Sequence, residues 1–330
     1  MNQEIRPLSF GNLSIWPPVA AAPMAGYTDS VYRGILRELG CPYCVTEMIS
    51  SKGLVQGGQN TWFLLEHSPC DRPLAVQLFG EDPDHMFLAA QKIHSLGLEF
   101  EAIDINMGCP ARKITSQGAG GALLKDVSRA MQVVSAVKAA SSLPVSVKMR
   151  TGWADSCNAT RIAECLCQAG ADMLVVHGRN VAQGYGGKAD WGVISQIASS
   201  VDIPVVGNGD IGSPEEAICK LTNSGCSGVM IGRGLLGNPF FFQRLIALLD
   251  GLQPMKTTGQ ERIEMAMGHL SRSVKRYGEY HALREMKKHL LFYFKGMKGA
   301  PKMRESVNHA GSTGEIIDVL KKASKEMASS

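Results

Sequence analysis

Asn106-Met107-Gly108-Cys109-Pro110 sets an amide and a thiol three residues apart, just past a short apolar run that reads as a strand. Gly108 and Pro110 constrain the backbone beside the thiol, so the strand stops and Cys109 stands at its lip. A reactive thiol at the edge of a sheet is how a site is assembled, whereas a packing cysteine more often lies inside the apolar run. Local sequence alone also fits a strand-end cysteine without a role, so the rest of the chain has to decide.

Eight β-prone runs, at 19–24, 43–47, 74–78, 102–106, 145–149, 173–177, 205–208 and 228–231, alternate with helical patterns. Helices are expected at 30–39, 83–96, 128–140, 158–169 and 214–223, several opened by a Ser, Asp or Asn cap or an early Pro. That rhythm over about 240 residues has the size of an α/β (β/α)8 TIM barrel. A doubly wound sheet is the structural alternative. The barrel demands chemistry where strands end, and the ends are polar. They read Pro23-Met24, Glu47, Gln77, Asn106 with Cys109, Lys148 with Arg150, His177 with Arg179, Asn208-Gly209-Asp210, and Gly232-Arg233. One such residue would mean little, but the set is hard to explain as solvation.

Gly207-Asn208-Gly209-Asp210-Ile211-Gly212 spells a dinucleotide-type glycine pattern, but no fresh βαβ start precedes it and no ribose-binding acid follows. With Ile231-Gly232-Arg233-Gly234 it fits better as a phosphate cradle of backbone N–H groups after the last two strands. Arg233 can add a charge-assisted contact. Lys148 alternates with Val145 and Val147, which points its ammonium into the barrel, where it needs an anionic or electron-rich partner. The edge of a flavin would serve, and so would a buried pairing with Glu47. His177, with Arg179 two residues on, is read as facing a ligand.

The ten N-terminal residues carry no apolar stretch of the signal-peptide kind, and the run at 240–249 is too short to span a bilayer, so no membrane segment is expected. Nine cysteines without framework spacing fit reduced thiols in a cytoplasmic chain. Cys41-Pro42-Tyr43-Cys44 has no second pair at zinc spacing, so it is read as packing, and no metal is expected. Residues 254–330 hold 15 Lys and Arg against 8 Asp and Glu, a net of +7, while residues 1–253 net −3. The two parts divide accordingly, a catalytic domain at 1–253 and a small all-α helical-bundle domain at 254–330. The second opens with a linker at 254–259. Met265, Leu270, Val274, Leu283, Met286, Leu290 and Phe294 form its apolar stripe at helical spacing. Its other faces carry Arg272, Lys275, Arg276, Arg284, Lys287, Lys288, Lys295, Lys298, Lys302 and Arg304, a surface suited to an RNA backbone. A solvated basic surface has the same composition.

Ala22-Pro23-Met24-Ala25-Gly26-Tyr27-Thr28-Asp29, Asn106-Met107-Gly108-Cys109-Pro110, Asn208-Gly209-Asp210-Ile211 and Gly232-Arg233-Gly234 together resemble the flavin-dependent tRNA-dihydrouridine synthases, nearest the bacterial B-type subfamily. Tyr27 stands where a small aliphatic residue is expected. The resemblance covers essentially the whole chain. It implies FMN as cofactor, held by Pro23, Met24, Ala25, Gln77, Lys148, His177, Asn208, Gly209, Asp210, Gly232 and Arg233. It places Asn106 and Arg179 near the substrate uracil and makes Cys109 the proton donor. The implied reaction is reduction of uridine in tRNA, in the D-loop. NADPH reduces FMN, hydride passes to C6 of uracil, and C5 takes a proton from the opposite face. A thiol with an ordinary pKa near ~8.5 is mostly protonated at neutral pH and can be that acid. The base must leave its stack, at a cost of a few kcal/mol that a basic domain gripping the backbone would help offset. The implied partner is tRNA, with no obligatory protein partner. The alternatives are a dihydroorotate-dehydrogenase-like flavoenzyme acting on a free pyrimidine, a non-redox phosphosugar barrel, and a tRNA-binding module without turnover.

Overall fold

The computed structural model describes residues 4–328; residues 1–3 of the N-terminal stretch and residues 329–330 lie outside it. An antiparallel hairpin of β1 (Leu8–Phe10) and β2 (Leu13–Ile15) comes first. The strands that follow are β3 (Val19–Ala21), β4 (Cys44–Val45), β5 (Ile49–Ser50), β6 (Leu74–Phe79), β7 (Ala102–Met107) and β8 (Val145–Arg150). Then come β9 (Met173–His177), β10 (Val205–Asn208) and β11 (Gly228–Ile231). They are parallel and ordered β3-β11-β10-β9-β8-β7-β6-β4, with the short β5 added against β6. Ala21 N donates to Tyr43 O at 2.9 Å and joins the two ends, so the sheet closes into an eight-stranded barrel.

All eight expected strands are present, with two differences. β3 stops at Ala21, and the chain turns at Pro23, which cannot donate to a ladder. The expected strand at 43–47 is reduced to Cys44–Val45, and β5 resumes the pairing four residues later. The five expected helices form within one residue of their expected bounds at each end, and the structure adds Trp191–Ser200. Asp82, Asp126, Asp190 and Ser213 accept backbone N–H groups at the starts of four helices. Such a cap is worth about 1 kcal/mol.

Alternation along each strand separates two cores. In β8, Val145, Val147 and Met149 face the surrounding helices, and Ser146 and Lys148 face inward. The barrel floor is apolar: Ala20, Val45, Ala75, Ala102, Met173, Val175, Val206 and Met230 pack on Leu8, Phe10 and Ile15 of the hairpin, which plugs the bottom. Above that floor the inward positions turn polar, and everything chemical in the barrel stands on this step. Cys41 and Cys44 are buried with their sulfurs 3.6 Å apart, and all nine cysteines are free thiols.

The C-terminal helices are Gly259–Tyr277, Glu279–Tyr293, Ala300–His309 and Thr313–Ala328. Thr258 and Glu261 close a capping box at the first of them. Leu270, Met286, Leu290 and Phe294 of the expected stripe are buried in the bundle core with Ile263, Val307, Ile316 and Leu320. The bundle docks on the barrel through Tyr32, whose ring stacks on His269 (centroids 5.2 Å apart) and lies 5.1 Å from His289. Tyr27 packs edge-on against His289 and Phe292 in the same seam, which accounts for an aromatic where a small aliphatic residue was expected. Gly237 marks how close the approach is: its φ is +66°, and a Cβ there would lie 2.3 Å from the Phe292 backbone.

Several cations of the expected basic face have partners on the protein. Arg272 pairs with Glu38 at 2.8 Å and Arg276 with Glu66, so both bind the bundle to the barrel. Lys287 donates to Asn308 O and Ala310 O, Lys288 pairs with Glu285, and Arg304 donates to Leu291 O. Lys275, Lys295, Lys298 and Lys302 remain exposed. No helix among the described residues is long and apolar enough to cross a membrane.

Candidate active site

A cavity of about 1400 Å³ opens at the C-terminal ends of the strands, and the helical domain forms part of its wall through Lys256, Arg262, Phe292 and Lys295. It is lined by Pro23, Met24, Ala25, Gln77, Asn106, Cys109, Lys148, His177, Asn208, Gly209, Asp210, Gly232 and Arg233. Residues spread over more than 200 positions of sequence therefore meet at one place.

The ends of the strands are tied to one another by directed hydrogen bonds. Lys148 Nζ donates to Asn208 Oδ1 at 3.0 Å, and Asn208 Nδ2 donates to Met230 O at 2.7 Å, which links β8, β10 and β11. Burial pushes the Lys148 ammonium down, and Asp104 below it pulls the other way. Asp104 replaces the Glu47 partner considered from sequence. Glu47 instead accepts Gly26 N–H and holds the 23–28 turn, where Met24 N also donates to Thr28 Oγ1 at 2.8 Å. His177 Nδ1 accepts Arg179 N–H at 3.3 Å, which leaves Nε2 as the protonated nitrogen. Burial and the cations of Lys148, Arg150 and Arg179 keep this imidazole neutral, far below its ordinary pKa.

The two glycine turns lie side by side. A Cβ at Gly234 would stand 2.4 Å from Ile211 O, so only glycine lets the turns touch. Asp210, with φ +51°, is the sole non-glycine at positive φ among the described residues, and three donors hold it there. Its Oδ1 accepts Arg179 Nη1 (2.8 Å) and Arg233 Nη2 (3.1 Å), and its Oδ2 accepts Ala189 N (2.8 Å). With two guanidiniums on it, Asp210 stays ionised below the usual carboxylate range. Its carboxylate anchors Arg233, and the residue itself stays in the cavity lining between the glycine turns.

Cys109 is half-buried at the opposite side of the rim. Asn106 Oδ1 accepts both Gly108 N (3.2 Å) and Cys109 N (3.0 Å), and Arg150 Nε fixes Gly108 O at 2.9 Å. Burial pushes the thiol above its ordinary pKa, so it carries its proton at neutral pH. Arg179 is the one expected site residue that the structure does not bring to the cavity. It is buried and donates to Gly186 O, Gly187 O and Asp210, which shapes the 183–188 loop. That loop carries Tyr185, missed from sequence: exposed, with the Arg150 and Arg233 guanidiniums 5.6 and 5.0 Å from its ring. An aromatic within Gln183-Gly184-Tyr185-Gly186-Gly187 was its signal. Asp104 was missed too, although a charge at an inward position of an apolar strand could have found it.

The donor set fits a flavin mononucleotide. Adjoining glycine turns with Arg233 offer a phosphate cradle, and Lys148, His177 Nε2–H and Gln77 offer donors along the cavity wall. No group of His, Cys, Asp and Glu among the described residues is arranged to hold a metal ion.

A (β/α)8 barrel carries paired glycine turns at one side of its mouth and a protonated thiol at the other, the face on which barrel enzymes place their chemistry. The family described as "Dihydrouridine synthase (Dus)" matches residues 20–328, and the chain belongs to that family. It is 35% identical over 327 residues to the probable tRNA-dihydrouridine synthase of Treponema pallidum, covering 96% of both chains. It is 36% identical over 294 residues to tRNA-dihydrouridine synthase B of Pseudomonas aeruginosa, covering 88% of each. Among solved structures, a variant of NCR from Zymomonas mobilis shares the barrel fold at TM-score 0.55 and 15% identity, over 79% of this chain and 96% of that one. TcOYE with pHBA does so at TM-score 0.54 and 12% identity, over 78% and 95%.

Proposed function

We propose that this protein reduces uridine to 5,6-dihydrouridine in tRNA, in the D-loop, with FMN as resident cofactor, NADPH as reductant, and the cytoplasm as its place of action. Pro23, Met24, Ala25, Gln77, Lys148, His177, Asn208, Gly209, Gly232 and Arg233 would hold FMN, with Asp210 orienting Arg233. Bound there, FMN supplies the hydride for C6 of the uracil ring.

The chain's own residues do the rest. Lys148 brings a positive charge to the cavity wall, and His177 adds a neutral N–H donor. Burial keeps the proton on Cys109 Sγ until it is given to C5, and the Asn106 carboxamide fixes the backbone that carries this thiol. Asn106 Nδ2 donates to Gln77 Oε1 and, weakly, to Met48 Sδ at 3.8 Å, and the sulfur is the acceptor that a uracil carbonyl would displace. Tyr185 gives the extruded base or its neighbour a ring to stack on, and Lys295, Lys298 and Lys302 give the tRNA backbone exposed point charges.

The observation that carries this reading is that one cavity holds both the glycine-turn cradle and the Cys109 thiol, with the basic helical domain in its wall. A free-pyrimidine enzyme has no need of that wall. Cys109→Ala tests the reading: the protein stays yellow and loses about 100-fold or more in turnover on tRNA, the range of a positioned general acid. A colourless Cys109→Ala protein would make the residue structural, and undiminished turnover would remove its role.

A further inference from the structure

Asp104 is 1% exposed on β7, two residues before Asn106 on the same inward side, and it is not among the residues lining the cavity. A charged group buried in a barrel needs a reason. An ionised carboxylate accepts hydrogen bonds and cannot donate. Its Oδ1 accepts Ser146 Oγ–H, and its Oδ2 accepts Gln77 Nε2 at 2.7 Å. That fixes the Gln77 amide with Oε1 on the far side, where it accepts Asn106 Nδ2 at 2.9 Å. Asn106 Oδ1 is thereby turned to the backbone N–H groups of Gly108 and Cys109. Reversing Gln77 would set its Oε1 against the carboxylate and its Nε2–H against Asn106 Nδ2–H, and reversing Asn106 would set N–H against N–H at the Cys109 turn. The carboxylate fixes the relay from the barrel side and the two backbone N–H groups fix it from the turn, so both ends demand the same direction.

We propose that Asp104 is a positioning residue for the reaction: its carboxylate anchors the Gln77–Asn106 relay from the barrel side and so holds the Cys109 turn with the thiol facing the cavity. The proposal rests on the reading of Cys109 as proton donor. Asp104 acts through two amides and touches no reacting atom.

The relay is sensitive to pH. The charged and titratable groups around Asp104 are Lys148 from β8 and Tyr43 beside β4, with Gln77 and Ser146 as its neutral partners. Burial raises the Asp104 carboxyl to about 6. Protonation gives it an O–H donor that competes with the donors of Gln77 and Ser146, so the relay loses this anchor as pH falls through about 6. Stability moves the other way. The folded-state value lies above the ordinary 3.8, so the folded chain takes up this proton first and the group gains stability on acidification. A purely structural carboxylate would not lower turnover where it raises stability.

The test uses FMN-loaded wild type, Asp104→Ala and Asp104→Asn. In Asp104→Ala, kcat on tRNA falls by up to about 100-fold while KM holds, as for a reacting group displaced by about 1 Å. Iodoacetamide, followed residue by residue by mass spectrometry, alkylates Cys109 several-fold faster relative to the exposed Cys70, Cys157 and Cys219. In Asp104→Asn, which can still accept from Gln77 in one orientation, the loss of kcat is smaller and the acid limb near pH 6 disappears. Unchanged kcat and unchanged Cys109 alkylation in Asp104→Ala would overturn the proposal, as would an acid limb that persists in Asp104→Asn. Should Asp104→Ala fail to load FMN, the pH limb of Asp104→Asn decides alone. Turnover retained in Cys109→Ala would sink the proton-donor reading instead, and the alkylation rates would still report on Asp104.

Discussion

Lys148 Nζ reaches Asn208 Oδ1 at 3.0 Å, spanning from β8 to β10 over the end of β9, where His177 sits in register with Asn208. The ammonium is the one positive charge at the barrel's inner mouth whose protonation changes in an accessible range. Burial lowers it to about 8. FMN affinity should therefore fall as pH rises through about 8. Lys148→Met should lose this dependence and bind FMN about 2 kcal/mol more weakly at pH 7, the worth of a hydrogen bond from a charged donor. The sign for stability is opposite. The unfolded chain binds this proton more tightly, so Lys148 costs the apo fold stability at neutral pH and the cost disappears between about 8 and 10.5. Fluorescence titration of FMN from pH 7 to 9.5 checks it, and a flat affinity would contradict it.

Arg179→Ala removes the donor to two carbonyls and a carboxylate that already carries strained backbone. The expected loss is about 2 kcal/mol, mainly from stripping the Gly186 and Gly187 carbonyls of a charged donor, since Asp210 keeps Arg233 and Ala189 N–H. Thermal unfolding reads it, with KM for tRNA little changed at permissive temperature. A rise in KM without a fall in Tm would instead place Arg179 at the substrate.

His269 and His289 form the seam with Tyr32, and His269 Nε2 and His289 Nδ1 have no hydrogen-bond partner. Burial holds both imidazoles neutral, His289 down to about 3. Their folded values lie below the ordinary 6.5, so the unfolded chain takes the protons first and stability is lost as pH falls from 6.5 toward 3. His289→Phe should lower Tm less steeply between pH 7 and pH 4.5 than wild type. Parallel curves would deny these histidines the role.

Much of the barrel and its mouth was legible in the sequence, for reasons that differ by residue. Strand periodicity and glycine turns exposed the barrel, and the alternation of Lys148 with Val145 and Val147 gave its direction correctly. Partners across the barrel were not legible. Glu47 and Asp104 are equally acidic on paper, and only the register of β7 with β8 brings Asp104 near Lys148. Arg179 illustrates the same limit, since a guanidinium two residues past His177 could point to substrate or back to the loop that follows. The partners of the basic helices were not legible either. Composition counts charges but not their partners, and Arg272 and Arg276 find theirs on Glu38 and Glu66, more than 200 residues away.

The cationic surface that stays exposed should bind the tRNA backbone. Lys298→Ala with Lys302→Ala should weaken tRNA binding and flatten its salt dependence, by about one unit of log–log slope for each phosphate left without its lysine. FMN binding should be untouched. Arg272→Ala should cost under about 1 kcal/mol of stability, as exposed pairs do. Filter binding across a salt series and thermal unfolding separate the two roles. A slope unchanged by the double variant would move the tRNA track elsewhere.

The most direct measurement gives the purified, FMN-loaded protein NADPH and an unmodified tRNA transcript, then weighs the nucleosides by mass spectrometry. The account predicts a uridine of the D-loop heavier by two hydrogen atoms in wild type and unchanged in Cys109→Ala. A flavin that is reduced by NADPH and reoxidised only by oxygen, with every uridine left at its original mass, would contradict it.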